Sequence, residues 1–329
     1  MPDVFSMDFT DVDAVTNSWL NEYENRLFKQ ADDSAMQALD KTDLRGEQYR
    51  NIVIDNVSLF LPRPCIFSLR DQSVDGGAGD PKFVDRLVVF YDNAGEHFQP
   101  GEDSVTDPGT QHLVHAEGIV FLFDPTEDAG FRRVLSPETI ANTDHIPCQR
   151  QDTLLTEMFN RIAKSEGVGA AARYSRPMVV AVSKADVLSD SLDIEADPWV
   201  WSDELGRFAL DLDRLHEVSF SLRCLLKEHA PEIVRTVESR VEQVLYVPVS
   251  ALGHCPLREN DTSAGAPGAA APAAVRPCDI QPLWVEVPLL YMFGKLGYLP
   301  MIRRMQRECE VVVDYRDMGV RLLATVGET

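Results

Sequence analysis

Four short runs of this chain carry no charge: Leu87–Tyr91, Gly118–Phe123, Met178–Val182 and Val244–Val249. Apolar residues fill consecutive positions in each run instead of alternating with polar ones. That is the pattern of a strand buried on both faces. Each run stops at a polar or acidic residue: Asp92, Asp124, Ser183 and Ser250. Between the later runs lie stretches with apolar residues at spacings of three and four, at about 151–164, 203–229 and 231–240. Buried strands alternating with helices predict an α/β fold, a mostly parallel sheet flanked by helices. Ligands of such sheets gather at the carboxyl ends of the strands. The segments that follow the first, third and fourth runs, opening at Asp92, Ser183 and Ser250, are therefore the first candidates for function.

The rest of the chain is less regular. Residues 14–40 place Trp19, Leu20, Tyr23, Leu27, Phe28 and Leu39 at helical spacing, which predicts one or two amphipathic helices in an N-terminal helical region, 1–50. Asn51–Leu61 alternates apolar and polar residues, and Cys65–Leu69 repeats the pattern after Pro62 and Pro64, predicting two half-exposed strands. Gly76–Pro81 reads as a glycine-rich hairpin loop and 126–150 as an irregular insertion. Residues 260–277 are rich in Ala, Gly and Pro and read as a flexible excursion. Trp284–Met305 has helical spacing with basic residues at its end. Val311–Val313 and Val320–Val326 read as short strands in a C-terminal extension, 303–329. One domain over 1–329 accommodates all of these, and no internal repeat is present.

Charge and cysteine content narrow the function. The net charge of −22 argues against a general nucleic-acid or anionic-membrane surface, both of which need clustered Lys and Arg. The six cysteines include no Cys-x-x-Cys pair and form no disulfide framework at this length. That usage, and an opening rich in aspartate where a secretory leader would be basic, predict a cytoplasmic protein. Glu286, Lys295 and three prolines interrupt the apolar stretch Ile280–Ile302, which argues against a membrane span.

Three strand-end motifs stand in order: Asp92-Asn93-Ala94-Gly95, Ser183-Lys184-Ala185-Asp186 and Ser250-Ala251-Leu252. The set resembles the third, fourth and fifth motifs of the P-loop GTPase family. The resemblance implies GTP/GDP and Mg as cofactors. Asp92 would hold the magnesium through water, and the Gly95 N–H would donate to the γ-phosphate. Asp186 would accept two hydrogen bonds from guanine N1 and N2, with the Lys184 stem along the base. Ser183 stands where the family usually has Asn and shortens one orienting side chain. Ser250 and Ala251 complete the base site, Ala251 through its backbone N–H to guanine O6. Family members carry a water-positioning Gln or His after the motif glycine. Here the positions hold Glu96 and His97, so a repelling carboxylate and a candidate water-positioning imidazole are the catalytic candidates. Slow or absent hydrolysis is the expectation, and a surface histidine is the plain alternative for His97.

The family's phosphate-holding loop, Gly-x-x-x-x-Gly-Lys-[Ser/Thr], does not occur in the 329 residues. Gly294-Lys295 lacks the earlier glycine, and Gly167–Ala172 has no Gly-Lys. Three explanations stay open. The chain is N-terminally incomplete, which is favoured; or it is a degenerate GTPase-like module; or a C-terminal strand such as Val320–Val326 fills the place of the missing first strand.

The stretches Asn17–Glu24 and Tyr91–Phe98 also resemble bacterial GTPases of the double-GTPase type. Those are associated with multi-component signalling or conflict systems, which implies protein partners. The reading is thus a GTPase-like regulatory switch, weak or inactive in hydrolysis as given. The alternative is a non-hydrolysing interaction module that keeps the fold. Thr42 or Thr106 could serve as a switch threonine, and spacing selects neither. A zinc site from His112-x-x-His115 with His97, or from His145-x-x-Cys148, competes with ordinary surface histidines. Ser183 and Ser250 sit in no Gly-x-Ser-x-Gly nucleophile turn.

Overall fold

A computed structural model describes residues 2–5, 7–13, 15–29, 34–38, 49–54, 57–71, 86–93, 98, 112–137, 139–140, 147–169, 172–192, 194, 196–255 and 274–303. Its elements in chain order begin with α1 (Pro2–Phe5), β1 (Met7–Asp11) and α2 (Ser18–Phe28). Five strands follow: β2 (Gln37–Ala38), β3 (Tyr49–Ile54), β4 (Val57–Pro62), β5 (Pro64–Asp71) and β6 (Arg86–Tyr91). Next are α3 (His112–His115), β7 (Ile119–Phe123), α4 (Gln151–Ser165), β8 (Met178–Val182), β9 (Trp199–Ser202) and β10 (Arg207–Asp211). Helices α5 (Leu212–His229) and α6 (Pro231–Arg240) lead to β11 (Val244–Pro248) and β12 (Ala274–Val275). Helix α7 (Val287–Lys295) and β13 (Met301–Ile302) come last.

The fold is α/β, but its strands are not mostly parallel. The parallel sheet among the described residues has three strands, β11-β8-β7. Strand β6 belongs to a separate antiparallel sheet, β1-β5-β6. Strands β9 and β10 pair antiparallel, and β13 adds to β10 in parallel. The pairs β3-β4 and β12-β2 are antiparallel.

The four uncharged runs separate into two kinds. Every residue of β8 is buried, and β8 has a strand on each side. Strand β11 is buried over Leu245–Pro248 and is anchored where the Ser219 hydroxyl of α5 accepts the Tyr246 N–H at 2.9 Å. Strands β6 and β7 correct the expectation of burial on both faces. Leu87 is 67% exposed and Leu122 is 62% exposed. Among the described residues, β6 pairs only with β5 and β7 only with β8, so each has an outer edge without a ladder partner. One face of each strand still reaches the core, through Val88 and Phe90 on β6 and through Ile119 and Phe123 on β7.

Helix α7 packs across both sheets. Phe293 meets Phe9 of β1 at 6.2 Å between ring centroids. A Cβ on Gly118, just before β7, would lie 2.8 Å from the Met292 sulfur. Arg86, opening β6, lies over the Tyr298 ring at 4.2 Å.

Several other expectations are corrected. The N-terminal region is not purely helical: Met7–Asp11 is a strand, and Gln37–Ala38 pairs with β12 instead of extending a second helix. Helix α2 is fixed by Asn17, fully buried just before it. Its amide donates to Asp11 Oδ1 at 2.7 Å and to the Ile66 carbonyl at 2.9 Å, and its oxygen accepts the Ile66 N–H. Asn51–Leu61 is not one strand but parts of β3 and β4, paired as a hairpin from Ile54↔Val57 to Tyr49↔Pro62. Residues 203–211 are not helical. They turn at Gly206, whose φ of +64° suits glycine, and return as β10. Asp211 is buried and caps α5, its Oδ1 accepting from the N–H groups of Asp213 and Arg214. The helix within Trp284–Met305 ends at Lys295. The predicted excursion 260–277 is corrected at its end, where Ala274–Val275 is a strand paired with β2 and Pro277 opens a 3₁₀ turn; 76–81, 256–273 and 304–329 lie outside the described residues, and with them the predicted strands 311–313 and 320–326.

The cysteines Cys65, Cys148, Cys224, Cys255 and Cys278 are free thiols. Burial on β5, with the carboxylates of Asp92 and Asp11 adding to it, pushes the Cys65 thiol up to about 11. At pH 8 it stays protonated and unreactive. Iodoacetamide is expected to modify the exposed Cys148, Cys224 and Cys278 well before Cys65, as peptide mass mapping over time would show. Among the described residues, no helix is long and apolar enough to cross a membrane.

Candidate functional site

The parallel sheet brings three chain ends level. Phe123, Val182 and Pro248 are register partners on β7, β8 and β11. The next residues leave the sheet together. The Ser183 N–H donates to the Phe123 carbonyl at 2.8 Å, and its hydroxyl donates to the same oxygen at 3.2 Å. The Val249 N–H donates to Val182 at 2.8 Å, and the Ala185 N–H donates to Val249 at 3.0 Å. The ladder thus continues one residue past each strand and holds the loops 183–186 and 249–251 side by side.

Lys184 turns the first of these loops. Its φ of 52° is left-handed, an uncommon conformation for a residue with a side chain. The turn starts the 3₁₀ segment Ala185–Ser191 and places Asp186 beside Ser250. The Ser250 hydroxyl donates to Asp186 Oδ1 at 2.5 Å and accepts the Gly253 N–H at 2.9 Å. Ser250 is buried and exchanges both backbone hydrogen bonds with Leu283, at 2.9 and 2.8 Å. Gly253 has φ +74°, and a Cβ there would lie 2.0 Å from the Gln281 carbonyl oxygen, so this close turn requires glycine. Ala251 follows Ser250 on an exposed bend.

Ser250→Ala removes one donor to a charged acceptor and one acceptor for Gly253. The expected loss is about 1.5–3 kcal/mol of unfolding free energy, measured by urea denaturation. A loss below about 0.5 kcal/mol would show that the hydroxyl does not organise the loop.

Lys184 has a partner that no motif singles out. Its Nζ lies 2.5 Å from Asp124 Oδ2 and donates to Thr126 Oγ1 at 3.0 Å. Asp124 Oδ1 in turn accepts from the Thr126 N–H at 2.8 Å and the Thr126 hydroxyl at 2.7 Å. Gln151, buried at the start of α4, clasps the Asp124 backbone. Its Oε1 accepts the Asp124 N–H and its Nε2 donates to the Asp124 carbonyl, both at 2.8 Å. Asp124 was visible in the sequence as the end of an apolar run. Thr126 and Gln151 carried no signal.

Five of the candidate residues, Ser183, Lys184, Asp186, Ser250 and Ala251, therefore sit together at the carboxyl ends of β8 and β11. Asp92 lies elsewhere, exposed just past β6 on the antiparallel sheet. Gly95, Glu96 and His97 lie outside the described residues. Near Asp92, Asn93 Nδ2 lies 2.9 Å from His112 Nε2, and the His112 ring stacks on Tyr91 at 4.2 Å. His145 is outside the described residues too. Among the described residues, no three His, Cys, Asp or Glu side chains converge as a metal-ligand set. A magnesium ion at Asp92 would need ligands from water and phosphate.

The cluster presents a carboxylate, a lysine stem and an exposed peptide at a sheet's carboxyl end. The Ser250 hydroxyl is committed to Asp186, and the His254 ring nitrogen is 3.0 Å from the Leu252 carbonyl. Comparison with protein-family models, with curated proteins and with solved structures returned no match to this chain.

Proposed function

We propose that this protein is a GTPase-like regulatory switch whose loops after β8 and β11 form a guanine site, with GTP/GDP and Mg as its ligands. The observation that carries the reading is the Asp186–Ser250 pair at the ends of two neighbouring parallel strands. Ser250 fixes one oxygen of a carboxylate that can still accept further hydrogen bonds. Guanine offers two adjacent donors, N1–H and N2–H, which adenine lacks. The Lys184 stem supplies an apolar edge for the ring, and the Ala251 N–H a donor for O6. Asp92, Gly95, Glu96 and His97 keep their proposed roles at the phosphate end. Hydrolysis is expected to be weak or absent, because Glu96 repels a γ-phosphate and no Gly-x-x-x-x-Gly-Lys-[Ser/Thr] loop occurs in the 329 residues. Protein partners of a signalling or conflict system in the cytoplasm would read the bound state.

A second reading, a non-hydrolysing interaction module with the same fold, draws on a different observation. Among the described residues the outer edges of β6 and β7 have no strand partner, their faces expose Leu87, Val89, Val120 and Leu122, and such edges favour added partners.

Calorimetric titration of the full chain with GDP and GTP in the presence of magnesium separates the two. Micromolar or tighter binding that is lost in Asp186→Ala supports the switch. A folded protein that binds neither nucleotide sinks it and leaves the interaction module.

A further inference from the structure

We infer that Asp124 is a positioning residue that sets base affinity through Lys184, an inference that rests on the guanine-site reading above. Lys184 is 44% exposed at its side chain, and a free lysine there would sample many rotamers. The structure gives its ammonium a fixed address instead. Asp124 Oδ2 lies 2.5 Å away and Thr126 Oγ1 3.0 Å away.

The address is itself held by two residues through four hydrogen bonds. Thr126 donates twice to Asp124 Oδ1, and Gln151 clasps the Asp124 backbone on both sides. Thr126 and Gln151 are buried. A carboxylate locked in this way differs from a mobile surface partner, whose ion pair is worth little. With the ammonium fixed and the backbone fixed by its left-handed turn, the aliphatic stem of Lys184 is pinned at both ends. A flat heterocycle bound to Asp186 then meets an apolar edge already in place, with less side-chain entropy to lose. Asp124 touches no base in this arrangement; it acts through Lys184.

The test uses the full chain, with guanosine 5′-monophosphate as the probe. Asp124→Asn keeps an oxygen for the Thr126 donors and removes the charge that holds Lys184. The expected result is a loss of about five-fold in affinity. Lys184→Ala loses the stem outright, and adding Asp124→Asn to Lys184→Ala costs nothing further, because Asp124 has no other route to the base. Additive losses, or an unchanged affinity in Asp124→Asn, overturn the inference. Melting temperatures of the variants should stay within a few degrees of the parent.

Acylation of Lys184 by acetic anhydride, followed by mass spectrometry, reads the pair without nucleotide. Asp124→Asn should raise the labelling rate of Lys184 several-fold. An unchanged rate overturns the positioning role whatever the nucleotide data show. A raised rate in a protein whose parent form binds no guanosine 5′-monophosphate overturns the guanine-site reading, and the base-affinity role with it, while leaving the ion pair.

Discussion

Asp186→Asn is expected to move the base preference of this protein from guanine to xanthine. A carboxylate accepts hydrogen bonds on both oxygens and donates none. Guanine presents N1–H and the 2-amino group as adjacent donors, which two acceptors satisfy. The asparagine amide keeps one acceptor and supplies one donor. Xanthine keeps the N1–H donor and has a carbonyl at position 2, so it pairs with the amide as guanine pairs with the acid. The Ser250 hydroxyl, 2.5 Å from Asp186 Oδ1, can still donate to the amide oxygen, so the loop keeps its shape. Losing a hydrogen bond to a charged group and gaining a donor–donor clash should weaken guanine binding by roughly a hundred-fold, from about 1.5–3 kcal/mol per charged bond. Titrations with guanosine and xanthosine 5′-monophosphates measure the change. Equal loss for both bases would mean that Asp186 supports the loop without reading the base.

Val180→Asp should prevent folding, while Leu122→Asp should be tolerated. Both positions lie inside uncharged apolar runs. Val180 is fully buried at the centre of β8, with β7 and β11 on either side. A carboxylate there has no partner and no water, and such changes cost more than about 4 kcal/mol. That is a large share of the roughly 5–15 kcal/mol by which a domain is stable. Leu122 is 62% exposed on β7, and a charged side chain there reaches solvent. Its expected cost is within about 1 kcal/mol. Urea denaturation of both variants checks the pair. Similar losses at the two sites would contradict the assignment of β7 as a strand with an open outer edge.

That contrast shows what the sequence could and could not carry. An uncharged run reports that a strand is able to be buried on both faces. It does not report which neighbours will be there. Strand β8 has a strand on each side, and β11, at the sheet's other edge, is covered by helix α5, so their burial follows the pattern. Strands β6 and β7 are uncharged over the same runs but leave one face exposed, at Leu87 and Val89 and at Val120 and Leu122, so the pattern overstates their burial. The β9–β10 hairpin was hidden for another reason. Leu205, Phe208, Leu212 and Leu215 fall at helical spacing by coincidence, and the turn at Gly206 divides them between hairpin and helix. Helices α4 and α6 were legible because their apolar faces keep one period throughout.

At the candidate site, residues that end strands were legible and residues that support them were not. Lys184 follows β8 after one residue and Asp186 after three, and Ser250 follows β11 after one, so adjacency in the sheet brings them together. Asp124 meets Lys184 across 60 positions of sequence, and Gln151 meets Asp124 across 27. No local pattern encodes such pairings; they exist only once β7 and β8 are in register.

The most direct test is to titrate the isotope-labelled full chain with guanosine 5′-monophosphate and, separately, with adenosine 5′-monophosphate, following backbone amide shifts. The guanine nucleotide should move the amides of Ser183–Asp186 and Ser250–Ala251, and the adenine nucleotide should leave them in place. Equal responses to both, or shifts confined to other parts of the chain, would contradict a guanine site at the ends of β8 and β11.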